Sequence, residues 1–540
     1  MKTDGEIFES EKNVLGIELG STRIKAVLLN ARHETLGTGE YEWENTYLDT
    51  IWTYGVEDVW KGVQSCYADL KRKIKDKFGV CLKTFGAIGI SAMMHGYMVF
   101  DKSGELLTPF RTWRNNNAAG AAEELTALFG YSVPARWSIA HLYQAIKSGE
   151  KHVGNIEFLS TLAAYVHWRL TGRRVAGVGD ASGMFPIDFD TKQYDRKAAE
   201  RFDCKTRGTE FNHAILDVLP QVLLAGENAG YLTTEGATLL DPSGDLEEGI
   251  AFCPPEGDAG TGMVATNSVK RGTGNVSAGT SIFSMVVLEK GLTRTYPEID
   301  IVTTPDGNPV AMVHCNNCTS EINAWIALFE EYTRLFGITP DKKEIFGKLF
   351  ESALGGDADC GGVVAYNYVS SEHITRIEEG RPMLVRTTSS KFNLANFMRA
   401  ELYSLFATLK VGLDILQKGE GVKIRSLYGH GGVFKTKGVC QRFLAAATDS
   451  PVTVMETANE GGAWGMAVLA RFMSEKANGR LTLAGYLDDT VFKDAKGSVY
   501  KPEKEDVAGF ERYMQNFVSG LAIVKEAVAA LGNQKAGKEC

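Results

Sequence analysis

The chain has 540 residues, of which 44% are hydrophobic and 23% charged, with a formal net charge of −9. That length exceeds what one hydrophobic core usually holds, so two or more domains are expected, and the ordinary composition excludes extensive disorder. The acidic balance argues against a nucleic-acid surface, no apolar run approaches a membrane span, and nine scattered cysteines behind a polar start read as reduced thiols in a cytoplasmic protein.

In chain order, residues 1–12 form a loose polar arm. Residues 14–29 read as strand, tight Gly20-Ser21-Thr22 corner and second apolar strand, and 35–43 add a third. Val56–Phe78 has helical spacing, with Val59, Val63, Cys66, Leu70 and Ile74 on one face. A short buried-type strand over 87–91 runs into Met93-Met94-His95-Gly96. Residues 118–172 are mostly helical in pattern, 175–183 form a glycine-rich loop, and 192–227 are helical again. A strand near Ile250 feeds Glu256-Gly257-Asp258-Ala259-Gly260. The opening pattern then returns over 275–287, where Ala278-Gly279-Thr280-Ser281 lines up by residue type with Leu19-Gly20-Ser21-Thr22. So distant a repeat suggests two similarly folded halves. Helices follow over 320–336 and 395–416. A strand over 426–428 enters Gly429-His430-Gly431-Gly432. A helix over 438–448, a strand over 452–455, a small-residue helix to Phe472 and a last helix over 505–531 complete an α/β pattern.

Three segments have the residue types of a phosphate-handling site. Glycine lets backbone N–H groups approach a polyphosphate, hydroxyls add donors, and an acid holds a divalent cation through water. Glu18, Gly20, Ser21, Thr22 and Lys25 supply these parts, although they equally suit a plain hairpin turn. Asp258, between glycines after a strand, stands where ligands gather in open α/β sheets and suits a proton acceptor; an ordinary Asp-Gly turn is the alternative. Gly429, Gly431 and Gly432 leave room for a ring or phosphate against bare backbone. They are no P-loop, because Phe434 fills the position that needs the second glycine. Cys315 and Cys318 lack a second cysteine pair for zinc and read as buried thiols. His95 and Trp113 suit either sugar contact or packing.

Taken in order, these motifs resemble the FGGY family of carbohydrate kinases, and within it the xylulokinase branch. The likeness runs through Gly16-Ile17-Glu18-Leu19-Gly20-Ser21-Thr22, Ile90-Ser91-Ala92-Met93-Met94-His95-Gly96, Pro109 with Trp113, and Asp180-Ala181-Ser182-Gly183. It continues through Gly257-Asp258-Ala259-Gly260-Thr261-Gly262, Gly279-Thr280-Ser281, the glycines 429, 431 and 432, and Glu460-Gly461-Gly462-Ala463-Trp464-Gly465. The resemblance implies an α/β protein of two actin-like (ribonuclease H-like) domains with an interdomain catalytic cleft. Residues 13–265 would bind sugar, 266–500 nucleotide, and 501–540 would form a helix and tail. It implies ATP with Mg²⁺ and suggests a homodimer. Asp258 would be the catalytic base, and Met94, His95 and Trp113 would hold a ketose beside it. Gly20, Ser21, Thr22, Lys25, Gly279, Thr280, Gly429, Gly431 and Gly432 would hold the nucleotide, and Glu18 the metal. Four departures stand against the family pattern: Glu18 for aspartate, Arg114-Asn115-Asn116-Asn117 for N-D-x-R, Ser371 to Thr375 for G-E-R-T-P, and Ala259 for asparagine. D-xylulose is the expected acceptor, with L-ribulose or another ketose as the alternative. A different class, an actin-like ATP-binding regulator that phosphorylates nothing, also remains open.

Overall fold

Buried aliphatic runs form the centre of two separate sheets. The computed structural model describes residues 9–455, 461–476 and 481–531. Among them, one compact unit draws on Met1–Lys270, Val287–Val310 and Glu460–Ala495, and a second on Arg271–Val286, Ala311–Asn459 and Lys496–Cys540.

In the first unit the strands lie in the order Gly230–Tyr231, Ala251–Phe252, Ala87–Ala92, Val14–Leu19, Arg23–Leu29, Thr35–Glu42, with Glu256–Gly257 also pairing on Ala87–Ala92. Val14–Leu19 is antiparallel to Arg23–Leu29 and parallel to Ala87–Ala92. Sandwiched between neighbours, it is apolar almost throughout and buried. Helix Val56–Phe78 lays Val59, Val63, Cys66, Leu70 and Ile74 on this sheet and ends at Gly79, whose φ of 70° closes the helix through an N–H to the Lys75 carbonyl. Gly39 admits this helix, because a Cβ there would strike the Cys66 carbonyl. Helix Gly461–Lys476 packs on Val14–Leu19 and on helix Asp258–Ala265. A Cβ on Gly16 would collide with the backbone of Ala463 and Ala467, and one on Gly465 with the Thr261 carbonyl. The guanidinium of Arg471, on the same helix, donates to the Lys12 carbonyl. Residues 1–8 of the expected arm, Glu460 and the tail beyond 531 lie outside the described residues.

In the second unit the strands run in the order Ile282–Val287, Thr273–Ala278, Ser426–Gly431, Val452–Met455, Gly497–Tyr500. Thr273–Ala278 is antiparallel to its hairpin partner and parallel to Ser426–Gly431, the same arrangement as in the first unit. Helix Lys504–Leu531 packs against helix Val439–Thr448. Asp506 anchors it there by accepting hydrogen bonds from Arg399 (2.6 Å) and Arg442.

Four local expectations change. Residues 175–183 are not a loop: Val175–Gly177 is a strand and Val178–Ala181 a helical turn, because the Glu256 carboxylate accepts the N–H groups of Gly179 and Asp180 and caps it. Residues 192–227 break into helices Arg196–Thr206 and Ile215–Val218 and the strand Gln221–Leu223. The Asp-Gly turn held open as the alternative does not form, because Asp258, at the carboxyl end of its strand, is the first residue of a helix. Gly429 to Gly431 belong to a strand, since Gly429 pairs with Val276 and Gly431 with Ala278.

Gly16→Ala removes the clearance under helix Gly461–Lys476. Overpacking of this kind typically costs about 1–3 kcal/mol. A lowered urea midpoint at unchanged slope is expected, and an unshifted midpoint would contradict this packing.

Candidate active site

The ends of three parallel strands build the site of the first unit. Leu19 pairs with Ala92, and Ala92 with Gly257. The Gly20–Thr22 corner, Met93 to His95, and Asp258 therefore leave the sheet at the same edge. In open α/β sheets ligands collect beyond such carboxyl ends.

Asp258 begins helix Asp258–Ala265 after the extended Gly257. Its Oδ1 accepts the Met94 N–H at 3.2 Å. The side chain keeps an exposed edge. Protein packed behind it withdraws it from water and raises its carboxyl to about 6, against the lowering effect of the Met94, Ala259 and Asp258 N–H groups. Gly257 is obligatory here, because a Cβ would strike the Met94 side chain. Met94 and His95 are both buried. His95 takes a φ of 68°, and its Nδ1 meets the Gly183 carbonyl at 3.2 Å. Burial, with Arg136 nearby, lowers its pKa to about 3 and keeps the ring neutral.

Glu18 lies across from Lys25 in the first hairpin. Its Oε2 accepts the Ala463 N–H at 3.2 Å, and Gly462 leaves room for the carboxylate. Burial and the neighbouring Asp258 raise its pKa to about 7, with the Ala463 N–H and Lys25 acting the other way. Two carboxylates held close in this way favour a cation between them. Among the described residues no three acids, histidines or cysteines cluster to hold a metal by themselves. The donor set therefore suits Mg²⁺, which usually takes one or two protein carboxylates beside phosphate and water.

The Gly20–Thr22 corner is pinned from behind. Trp43 Nε1 donates to the Gly20 carbonyl at 2.7 Å, Tyr54 Oη to the Ser21 carbonyl at 2.6 Å, and the Trp43 N–H to the Thr22 carbonyl at 3.2 Å. Trp43 and Tyr54 stack at 4.3 Å. Trp113 is 39% exposed and donates through Nε1 to the Ser21 hydroxyl at 3.2 Å, so it stands beside this corner with an open face. Arg114 stacks 3.9 Å over Trp52 and donates to Asn45. Asn115 commits its amide to the Trp52 backbone.

In the second unit the Ala278–Gly431 pairing sets the Gly279-Thr280 corner beside Gly431 and Gly432. The Gly279 carbonyl accepts from Thr319 Oγ1 at 2.9 Å, and the Thr280 carbonyl from the Cys318 N–H at 3.0 Å. Gly431 has φ 106°, and a Cβ there would strike the Ala278 carbonyl. No atom lies within 4 Å of where a Cβ on Gly432 would stand, so bare backbone faces open space. Cys315 and Cys318 are free and buried.

The structure thus brings Glu18, Lys25, Met94, His95 and Asp258 together, with Gly20, Ser21, Thr22 and Trp113 at the same corner. Gly279, Thr280, Gly429, Gly431 and Gly432 group in the other unit. Trp43 and Tyr54 position these residues without having been singled out as site residues in the sequence, and the Ala463 N–H, within a motif already noted, gains its role only from the fold. A stacked aromatic pair 11 residues apart leaves no local signature, and a backbone donor leaves none at all.

The comparisons with known proteins fit this geometry. The chain is 16% identical to the gluconate kinase of Lactobacillus acidophilus, with a TM-score of 0.77 over 96% of this chain and 99% of that one. It is 16% identical to the ligand-bound xylulose kinase of the same species, with a TM-score of 0.75 over 96% and 98%. The fold is thus the two-domain actin-like (ribonuclease H-like) fold of sugar kinases. Residues 13–243 match the N-terminal domain of the FGGY family of carbohydrate kinases, and residues 274–474 its C-terminal domain. The chain belongs to that family and is an ATP-dependent carbohydrate kinase. It is 22% identical to the xylulose kinase of Haemophilus influenzae over 94% of this chain and 99% of that one. Among the described residues no helix is long and apolar enough to cross a membrane.

Gly257→Ala drives a methyl into Met94 and displaces the N–H that holds Asp258. A loss of at least about 10-fold in kcat/KM, with far-ultraviolet circular dichroism unchanged, is expected from misplacing a reacting group by a fraction of its reach. Full activity in that variant would remove the Met94–Asp258 contact from the site.

Proposed function

We propose that the protein transfers the γ-phosphoryl group of ATP to D-xylulose, giving D-xylulose 5-phosphate and ADP. One observation carries the reading: the ketose-type Met94-His95 segment and the exposed acid at this strand edge, Asp258, are joined by the 3.2 Å hydrogen bond from the Met94 N–H. The relative from Haemophilus influenzae, matched over nearly its whole length, carries the name xylulose kinase.

The sugar lies against Met94, His95 and Trp113. Asp258 accepts the proton of the attacking hydroxyl as the new P–O bond forms and the bond to ADP breaks. Positioning and charge stabilisation supply most of the acceleration in phosphoryl transfer, and a general base contributes about 10²–10⁴-fold. Gly20, Ser21, Thr22, Lys25, Gly279, Thr280, Gly429, Gly431 and Gly432 are the residues assigned to the nucleotide. Glu18 would hold Mg²⁺, whose chemistry is to neutralise phosphate charge. A cytoplasmic location and a homodimer belong to the same reading.

One feature favours another ketose such as L-ribulose. Arg114 to Asn117 replace the family's usual segment after Trp113, and Arg114 and Asn115 are engaged with Trp52 and Asn45 rather than left open. An ADP-release assay over D-xylulose, L-ribulose, D-ribulose and L-fuculose separates the two, since each misplaced hydroxyl costs buried hydrogen bonds. D-xylulose should lead in kcat/KM by at least about 10-fold. Sugar-independent ATP turnover without a phosphosugar would end the kinase reading.

Asp258→Ala should lower kcat by about 10²–10⁴-fold while the fold survives. In the parent chain, activity should fall as the pH drops below about 6, where Asp258 takes up its proton. A flat profile down to the ordinary aspartate range near about 4 would contradict a raised carboxyl.

A further inference from the structure

Behind Asp258 lies a second pair of acids. Asp180, on the turn Val178–Ala181, and Glu256, on the strand Glu256–Gly257, are both fully buried. The Glu256 carboxylate accepts the Gly179 N–H at 3.3 Å and the Asp180 N–H at 3.1 Å. It fills the space that side chains on Gly177 and Gly179 would need. Asp180 Oδ2 meets the Thr161 hydroxyl at 2.5 Å, while its Oδ1 has no hydrogen-bond partner. That unpartnered oxygen lies 3.5 Å from where a Cβ on Gly257, the residue before Asp258, would stand.

Other groups around Asp180 do not neutralise it. Glu256 comes from the strand ahead of it, Asp258 from helix Asp258–Ala265, and Asp300, paired with Arg136, from the strand Asp300–Thr303. Tyr194 faces it as well and is held neutral. The adjoining strands Val175–Gly177 and Gln221–Leu223 bring no ionisable side chain. A buried carboxylate with one unpartnered oxygen beside Glu256 and Asp258 is costly, and a neutral carboxylic acid is not.

We propose that Asp180 is a positioning residue that remains a protonated, neutral acid in the working enzyme, so that Asp258 alone carries the negative charge at the end of the Glu256–Gly257 strand. Burial first, and the Asp258 charge after it, raise Asp180 to about 7, above Asp258 at about 6. Burial first, and Asp180 after it, raise Glu256 to about 8 against its backbone N–H donors, so it too is neutral and adds no charge behind Asp258. The inference rests on the kinase reading for its consequence. Ionising Asp180 adds a second charge behind the base and opposes approach of a polyphosphate, so activity declines on the alkaline side.

Asp180→Asn reproduces the neutral acid in shape and charge. A buried acid raised by folding stabilises the protein below its unfolded pKa of about 4, and that stability is lost as pH rises through about 7. The full-length variant should therefore match the parent in melting temperature near about pH 4, exceed it increasingly up to about pH 7, and hold a constant excess above that. Its decline in kcat/KM above about pH 7 should be lost. A melting-temperature difference that does not change with pH overturns the proposal, whatever the fate of the kinase reading. A flattened melting profile with an unchanged alkaline decline overturns the catalytic consequence alone. If Asp180→Asn does not fold, Thr161→Val removes the hydroxyl that favours the ionised form, and the same decline should move to higher pH; a downward or absent shift counts against Asp180.

Discussion

Parallel pairing of three strand ends governs the site. Val14–Leu19, Ala87–Ala92 and Glu256–Gly257 finish level with one another. A slip of one residue in the last of these would turn Asp258 to the opposite face of the sheet, because side chains alternate with a period of two. The pairing is protected by close backbone approach rather than by large side chains. Gly257 and Gly16 stand where a Cβ would hit Met94 or the backbone of helix Gly461–Lys476. The second unit repeats the device with Ala278 and Gly431.

That architecture concentrates acids. Glu18, Asp180, Glu256 and Asp258 all titrate above the ordinary carboxylate range, each chiefly because protein replaces water around it. They are not equivalent. Glu18 and Glu256 accept backbone N–H groups, Asp258 combines one such bond with an exposed edge, and Asp180 keeps an oxygen unpartnered. Different environments set chemically similar groups apart from one another. Glu18, whose carboxylate reaches the Ala463 N–H, ties helix Gly461–Lys476 to the hairpin that carries the Gly20–Thr22 corner.

Much of this was legible in the chain. Helix Val56–Phe78 coincides with its apolar stripe, because both the stripe and the closing Gly79 are local signals. The two hairpins follow the same logic, since β-branched runs flank small-residue corners. The turn Val178–Ala181 was missed because its cap, Glu256, lies far away in sequence. The strand through Gly429 to Gly431 was missed because Gly431 in a strand makes sense only beside the Ala278 carbonyl it must clear, and Gly429 only beside the Phe434 ring.

The amino-acid sequence by itself determined the elements, the twin hairpins, the glycine corners and the order of motifs that marks a carbohydrate kinase. These depend on periodicity and turn chemistry within a few residues. Only the tertiary structure decided that helix Gly461–Lys476 belongs with the first hairpin, that Trp43 and Tyr54 brace its corner, and that Asp180 lies beside Gly257, the residue before Asp258. Which distant backbone surfaces can approach closely enough is set by clearance and register between segments, and neither is encoded in any one of them.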